Sequence, residues 1–160
     1  MLVYAGFFFA VFVTAVAIFL QVQNQELSRA ENAYAQGIAY GFADSIQTAF
    51  VAGPGFVETV RLPTDILGKR YWLEVSHSPS AAGLETGFVY VEWLSDGKNV
   101  SFSAPTVTSN YSFRADGGSS PFVSDRITTD GLKEFVVIDT QQGLPLNISN
   151  EGGGIKIMKG

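Results

Sequence analysis

Residues 1–25, MLVYAGFFFAVFVTAVAIFLQVQNQ, carry no charged side chain, and from Met1 to Leu20 they are apolar almost without interruption. About 20 such residues wound into an α-helix span roughly 30 Å, the thickness of a bilayer's hydrocarbon core. The first charge is Glu26, yet no proline follows it until Gly53-Pro54-Gly55. The helical pattern therefore continues beyond the membrane-length segment and predicts one helix over residues 1–53, roughly 75 to 80 Å long. It ends where glycine permits a left-handed cap and proline cannot continue the helix.

From Glu26 onward the apolar positions step by three and four through Leu27, Ala30, Tyr34, Ile38, Gly41 or Phe42, Ser45 or Ile46, and Ala49, which predicts one buried helical face. Arg29, Glu31, Gln36, Asp44 and Gln47 are expected on the other face. Alanine and glycine are frequent here, and small side chains let helices approach closely. Gly37 and Gly41 each cost about 1 kcal/mol relative to Ala and are candidate bend points.

Beyond Pro54 the periodicity changes to two. Strands are expected at Phe56 to Leu62, Arg70 to Ser76, Gly87 to Leu94, Val100 to Ala104, Val107 to Phe113, Glu134 to Asp139, Leu144 to Ser149 and Gly154 to Met158. Asp96-Gly97, Asp116-Gly117-Gly118, Asp130-Gly131 and Gly152-Gly153 supply turn chemistry between them. The fold class is α+β: a long N-terminal hydrophobic helix over residues 1–53, then an antiparallel β-sandwich or barrel head over residues 54–160. A head of this length holds one core, and a second domain is not expected.

The chain of 160 residues has a net charge of -5, and its ten Lys and Arg are scattered, which argues against a nucleic-acid partner. It has no cysteine and one histidine, His77, so neither a zinc site nor a catalytic triad can be assembled. His77, in Ser-His-Ser-Pro, reads as a loop residue. Asp96, Asp116 and Asp130 each precede glycine, and turn geometry accounts for them. Paired carboxylates for acid–base work and a calcium site around Asp116 to Asp130 are weaker readings, because the spacing matches no calcium loop. No enzyme activity and no cofactor are expected.

A secretory signal would show a basic stretch before the apolar core and small residues at a cleavage site after it; here QVQNQELSR follows the core. The segment is expected to be retained, either from a natural Met1 or after removal of a short basic leader preceding it.

One motif recurs. Asn99-Val-Ser101, Asn110-Tyr-Ser112 and Asn147-Ile-Ser149 are N-x-S glycosylation sequons, all in the head. Composition alone gives about one such match among the head's asparagines. Charged residues make up only 16% of the chain, and attached glycans would supply surface polarity. The alternative is that Asn and Ser are common on turns and solvent faces.

Phe7, Phe8, Phe9, Phe12 and Phe19 spread around the apolar helix, and such a helix is covered on every side, by lipid or by identical helices. An uncharged aromatic-rich N-terminal helix continuing as an amphipathic one, closed by Gly-Pro-Gly before an all-β head, resembles the archaeal type IV pilin-like superfamily. Val60-Arg61-Leu62-Pro63-Thr64-Asp65-Ile66-Leu67-Gly68, followed by Tyr71-Trp72-Leu73-Glu74-Val75, is also similar to the leucine-proline, glycine, tyrosine opening of several archaeal pilin heads. The resemblance is sharp over residues 1 to 75. Bacterial type IV pilins carry glutamate where this chain has Ala5, and archaellins begin with small residues where it has Phe7 to Phe9.

The resemblance implies a pilin: a single-pass membrane protein before assembly, then the subunit of an extracellular helical homopolymer on the cell surface. Its partners would be itself, the membrane, the pilus assembly machinery and N-linked glycans, and its assembly core would be Phe7, Phe8, Phe9, Phe12 and Phe19. The rival expectations are an archaellin and a membrane-tethered β-sandwich binding or stator protein.

Overall fold

Helix α1 runs from Leu2 to Ala52 in the computed structural model, which describes residues 2–79, 85–95, 97–108, 110–114, 122–127, 134–152 and 154–160. The chain divides into two units, Met1–Ala33 and Tyr34–Gly160, so residues 34–52 of α1 belong with the β-structure. Within them Ala35, Ile38, Ala39, Phe42, Ala43, Ile46 and Ala49 are buried, repeating at helical spacing.

The face expected from the sequence is right from Ile38 onward only if Phe42 and Ile46 are taken at the ambiguous steps. Before that it is out of phase by one position. Leu27, Ala30 and Tyr34 are exposed, while Glu31, expected on the polar face, is buried. Glu31 stands four residues before Ala35 on the same helical row, whereas Tyr34 falls beside that row. A Cβ at Gly37 or Gly41 would meet nothing within 4 Å, and α1 passes through both without interruption.

Among the described residues nine strands follow: β1 (Val57–Val60), β2 (Tyr71–Pro79), β3 (Glu85–Ser95), β4 (Lys98–Thr106), β5 (Tyr111–Arg114), β6 (Phe122–Ile127), β7 (Glu134–Asp139), β8 (Leu146–Asn150) and β9 (Ile155–Lys159). They form two sheets in a sandwich-like arrangement, in the orders β1-β8-β9-β5 and β4-β3-β2-β7-β6. In the five-stranded sheet, register puts Tyr71 opposite Trp93, Leu73 opposite Val91 and Ile138, and Val75 opposite Val89 and Val136. Those residues are buried and alternate with partly exposed ones, the period-two pattern of a sheet with one face on a core. Ile148, Leu146, Ile155 and Ile157 contribute from the other sheet to the same core as Phe42 and Ile46.

The α+β, sandwich-like class is as expected, with one refinement, and three other expectations need correction. β5 pairs with β9 in parallel, so the arrangement is antiparallel-rich and not wholly antiparallel. The expected strand from Val107 is shortened to Tyr111–Arg114, because Thr106 and Thr108 bond locally: the Thr106 hydroxyl donates to the Thr108 carbonyl at 2.8 Å, and Asn110 N–H to the Thr108 hydroxyl at 3.1 Å. His77 lies within β2, opposite Gly87, and not in a loop. β6 was not anticipated. Its Ser-Asp-Arg centre does not alternate, which an edge strand with a register shift between Phe122 and Ser124 tolerates. Asp96, Asp116 to Gly118, Asp130-Gly131 and Gly153 lie outside the described residues.

The segment entering β2 is fixed by Tyr71. Its side chain is fully buried, and its phenol donates to the Pro63 carbonyl at 2.6 Å, while the Thr140 hydroxyl donates to the Tyr71 carbonyl at 2.7 Å. Between them, Leu67 and Gly68 both have positive φ in a tight turn closed by two Ile66–Lys69 hydrogen bonds, and Gly68 N–H donates to Asp65 Oδ1 at 2.7 Å. Burial raises the Tyr71 pKa above its ordinary value, with a Thr140 hydroxyl partly opposing, and pushes Tyr111 up to about 12, opposed by Thr106.

Both phenols thus hold their protons more tightly folded than unfolded. Stability is unaffected below about pH 10 and falls above it, each group contributing about 1.4 kcal/mol per pH unit until its own folded pKa is passed. Tyr71→Phe is expected to cost about 1 to 3 kcal/mol at pH 7, through the orphaned Pro63 carbonyl. It is also expected to halve the loss between pH 10 and 11. Urea midpoints at pH 7, 10 and 11 check both; a mutant with an unchanged alkaline slope would contradict them.

Helix α1 ends on a single side chain. Asn150, buried in β8, donates its amide to the carbonyls of Ala49 (3.1 Å) and Phe50 (3.4 Å), two of the acceptors every helix C-terminus leaves open. Its Oδ1 accepts from Gly152 N–H at 2.9 Å, its carbonyl from Gly55 N–H at 2.8 Å, and its own N–H donates to the Phe56 carbonyl at 3.1 Å. Gly53 and Gly55 take positive φ in the expected Gly-Pro-Gly cap.

Candidate functional site: an apolar helix surface

In residues 2–25 the helix has no charge, and every side chain described there, from Tyr4 onward, is exposed. Phe7, Phe8, Phe9, Phe12 and Phe19 are 60% to 70% exposed, and Tyr4 is 72% exposed. With about 100° of turn per residue, Tyr4, Phe8, Phe12 and Phe19 fall within roughly 80° of one another. Phe7 and Phe9 flank that ridge. The phenylalanines therefore do not point in all directions: the opposite side carries Gly6, Ala10, Val13 and Ala17. A shallow concavity continues that side through Ala17, Leu20, Gln21, Asn24 and Ser28.

Thr14 donates its hydroxyl to the Ala10 carbonyl at 2.9 Å, so it can enter an apolar medium without an open donor. The first charges, Glu26 and Arg29, pair at 2.9 Å on an exposed turn just beyond. By length and composition, α1 is able to cross a membrane. An apolar surface this continuous is far larger than a soluble monomer ordinarily leaves in water.

The three sequons are placed differently. Asn99 and Ser101 are both exposed on β4, an edge strand. Asn110 is exposed, with its carbonyl accepting from Ile155 N–H at 2.9 Å, and Ser112 is exposed on β5. Asn147 is half-buried in β8, its Oδ1 accepting from the Thr59 hydroxyl at 2.7 Å, and Ser149 beside it is buried. Among the described residues no three His, Asp or Glu side chains come together as metal ligands would. Phe7 to Phe19 belong to the unit Met1–Ala33 and the three sequons to the unit Tyr34–Gly160. Comparison with known proteins gives no match to any family model, curated protein or solved structure.

Proposed function

We propose that the chain is the structural subunit of an extracellular filament of the archaeal type IV pilus kind, anchored in the membrane through helix α1 before assembly and packed through the same helix afterwards. The observation that carries this reading is the uncharged helix surface, exposed on every side, with an aromatic ridge opposite a small-residue side. Lipid requires only that such a surface be apolar. A bundle of like helices also benefits from ridges that fit between small residues, because side chains on one helix then interdigitate with the next. The ridge and the small side belong to different faces, so the contact between copies would be heterologous and would propagate as a helix of subunits instead of closing.

Phe8→Ala separates this from a tethered single-pass protein. The segment remains apolar enough to insert, but a ring buried between helices is lost, at a cost of roughly 3 to 5 kcal/mol per subunit. Membrane-bound subunit is expected at normal levels, with few or fragile filaments in electron micrographs. Wild-type filament number and resistance to shearing would contradict the reading and favour a membrane-tethered binding protein.

A further inference from the structure

The outward face of the five-stranded sheet carries a row along β3, Phe88, Tyr90, Glu92 and Leu94, bordered on β2 by Trp72. Leu94 is 51% exposed and Glu92 is exposed, while the three rings are half-buried, with Phe88 and Tyr90 5.9 Å apart. The Arg70 guanidinium lies 5.0 Å from the Trp72 ring and reaches Asp139 at 3.5 Å, which holds the indole in place. Rings beside a carboxylate suit one ligand chemistry in particular. A sugar ring offers apolar C–H faces to the rings and hydroxyls to Glu92 and to the serines of β4.

The register supplies the sugar's source. Asn99 pairs with Leu94 and Ser101 with Glu92, so the Asn99-Val-Ser101 sequon stands on the outward face at its edge. Across two strands and along two residues, Asn99 lies about 12 Å from Trp72, by ordinary sheet spacings, a distance that a few linked sugars span. Of the three sequons, this one has an exposed Asn and an exposed Ser beside an aromatic row.

We propose that Asn99 is N-glycosylated and that its glycan folds back over Leu94, Trp72 and Tyr90 of the same subunit, covering this face. Attachment forms a bond between Asn99 Nδ2 and the anomeric carbon of a lipid-linked oligosaccharide. The bond from that carbon to the lipid phosphate breaks, and the amide loses one proton as the phosphate leaves. The inference rests on the proposed extracellular position of the sheets. Modified Asn99 in chains that make no filament would sink the filament reading alone, whereas unmodified Asn99 in intact filaments would sink this inference alone.

The test uses full-length protein from cells that make it, beside Asn99→Gln and Ser101→Ala. Peptide mass spectrometry should find a saccharide on Asn99 in the wild type and none in either variant. Trp93 is only 2% exposed, so acrylamide quenching of tryptophan fluorescence reports mainly on Trp72. Quenching should rise at least twofold in both variants. A bare Asn99, or a glycan whose loss leaves quenching unchanged, would each overturn the proposal.

Discussion

Chains lacking residues 1–25 are expected to form no filaments at all, to leave the membrane fraction and to remain soluble without detergent. None of the described residues removed belongs to the hydrophobic core, which draws on the described part of α1 from Ala35 onward. The β-rich unit Tyr34–Gly160 should therefore keep its melting temperature, with a change in stability of no more than about 1 kcal/mol. What the deletion removes is the large apolar surface that water does not tolerate. Sedimentation should show a monomer. Fibres built from the truncated chain would place the assembly surface elsewhere.

Asn150→Ala should be the most damaging single substitution in the β-rich unit outside its apolar core. It leaves the Ala49 and Phe50 carbonyls without their donor and Gly152 N–H without its acceptor, at a buried position where water cannot substitute freely. At about 1 to 3 kcal/mol for each buried group left open, with partial relaxation, the loss is on the order of 3 kcal/mol. For a unit of this size that lowers Tm by roughly 10 °C. Asn150→Asp keeps the acceptor for Gly152 but points a negative charge at two carbonyls, and should be no better. Thermal melting of the truncated chain gives the comparison, and a shift under 2 °C in Asn150→Ala would contradict this role.

The helix, its end at Gly53-Pro54-Gly55 and eight of the strands were legible because each depends on local chemistry: period, cap and turn residues. Less legible was everything set by a partner distant in sequence. Asn150 follows the Asn147 sequon and reads as one more polar turn residue, and only the return of β8 to the helix end gives its amide two carbonyls to meet. Tyr71 reads as one residue of an alternating strand, yet its burial and its bond to Pro63 make it the anchor of the loop before it. Glu31 reads as a polar-side residue on its charge, although the helical row through Ala35 and Ile38 includes it. Strand β6 is not legible because a charged edge strand lacks the alternation that identifies the others. The phenylalanines were found by sequence, but their concentration on one side of α1 emerges only when each is placed at its angle around the helix.

Electron microscopy of material sheared from the cell surface, with its protein identified by mass spectrometry, tests most directly whether helix α1 builds a filament. Uniform fibres whose dominant component is this chain, with residues 1–25 protected from protease inside the fibre, are the expected result. Fibre-free shearings, with the chain left dispersed in the membrane and its helix accessible only to lipid, would contradict the filament and leave a tethered surface protein.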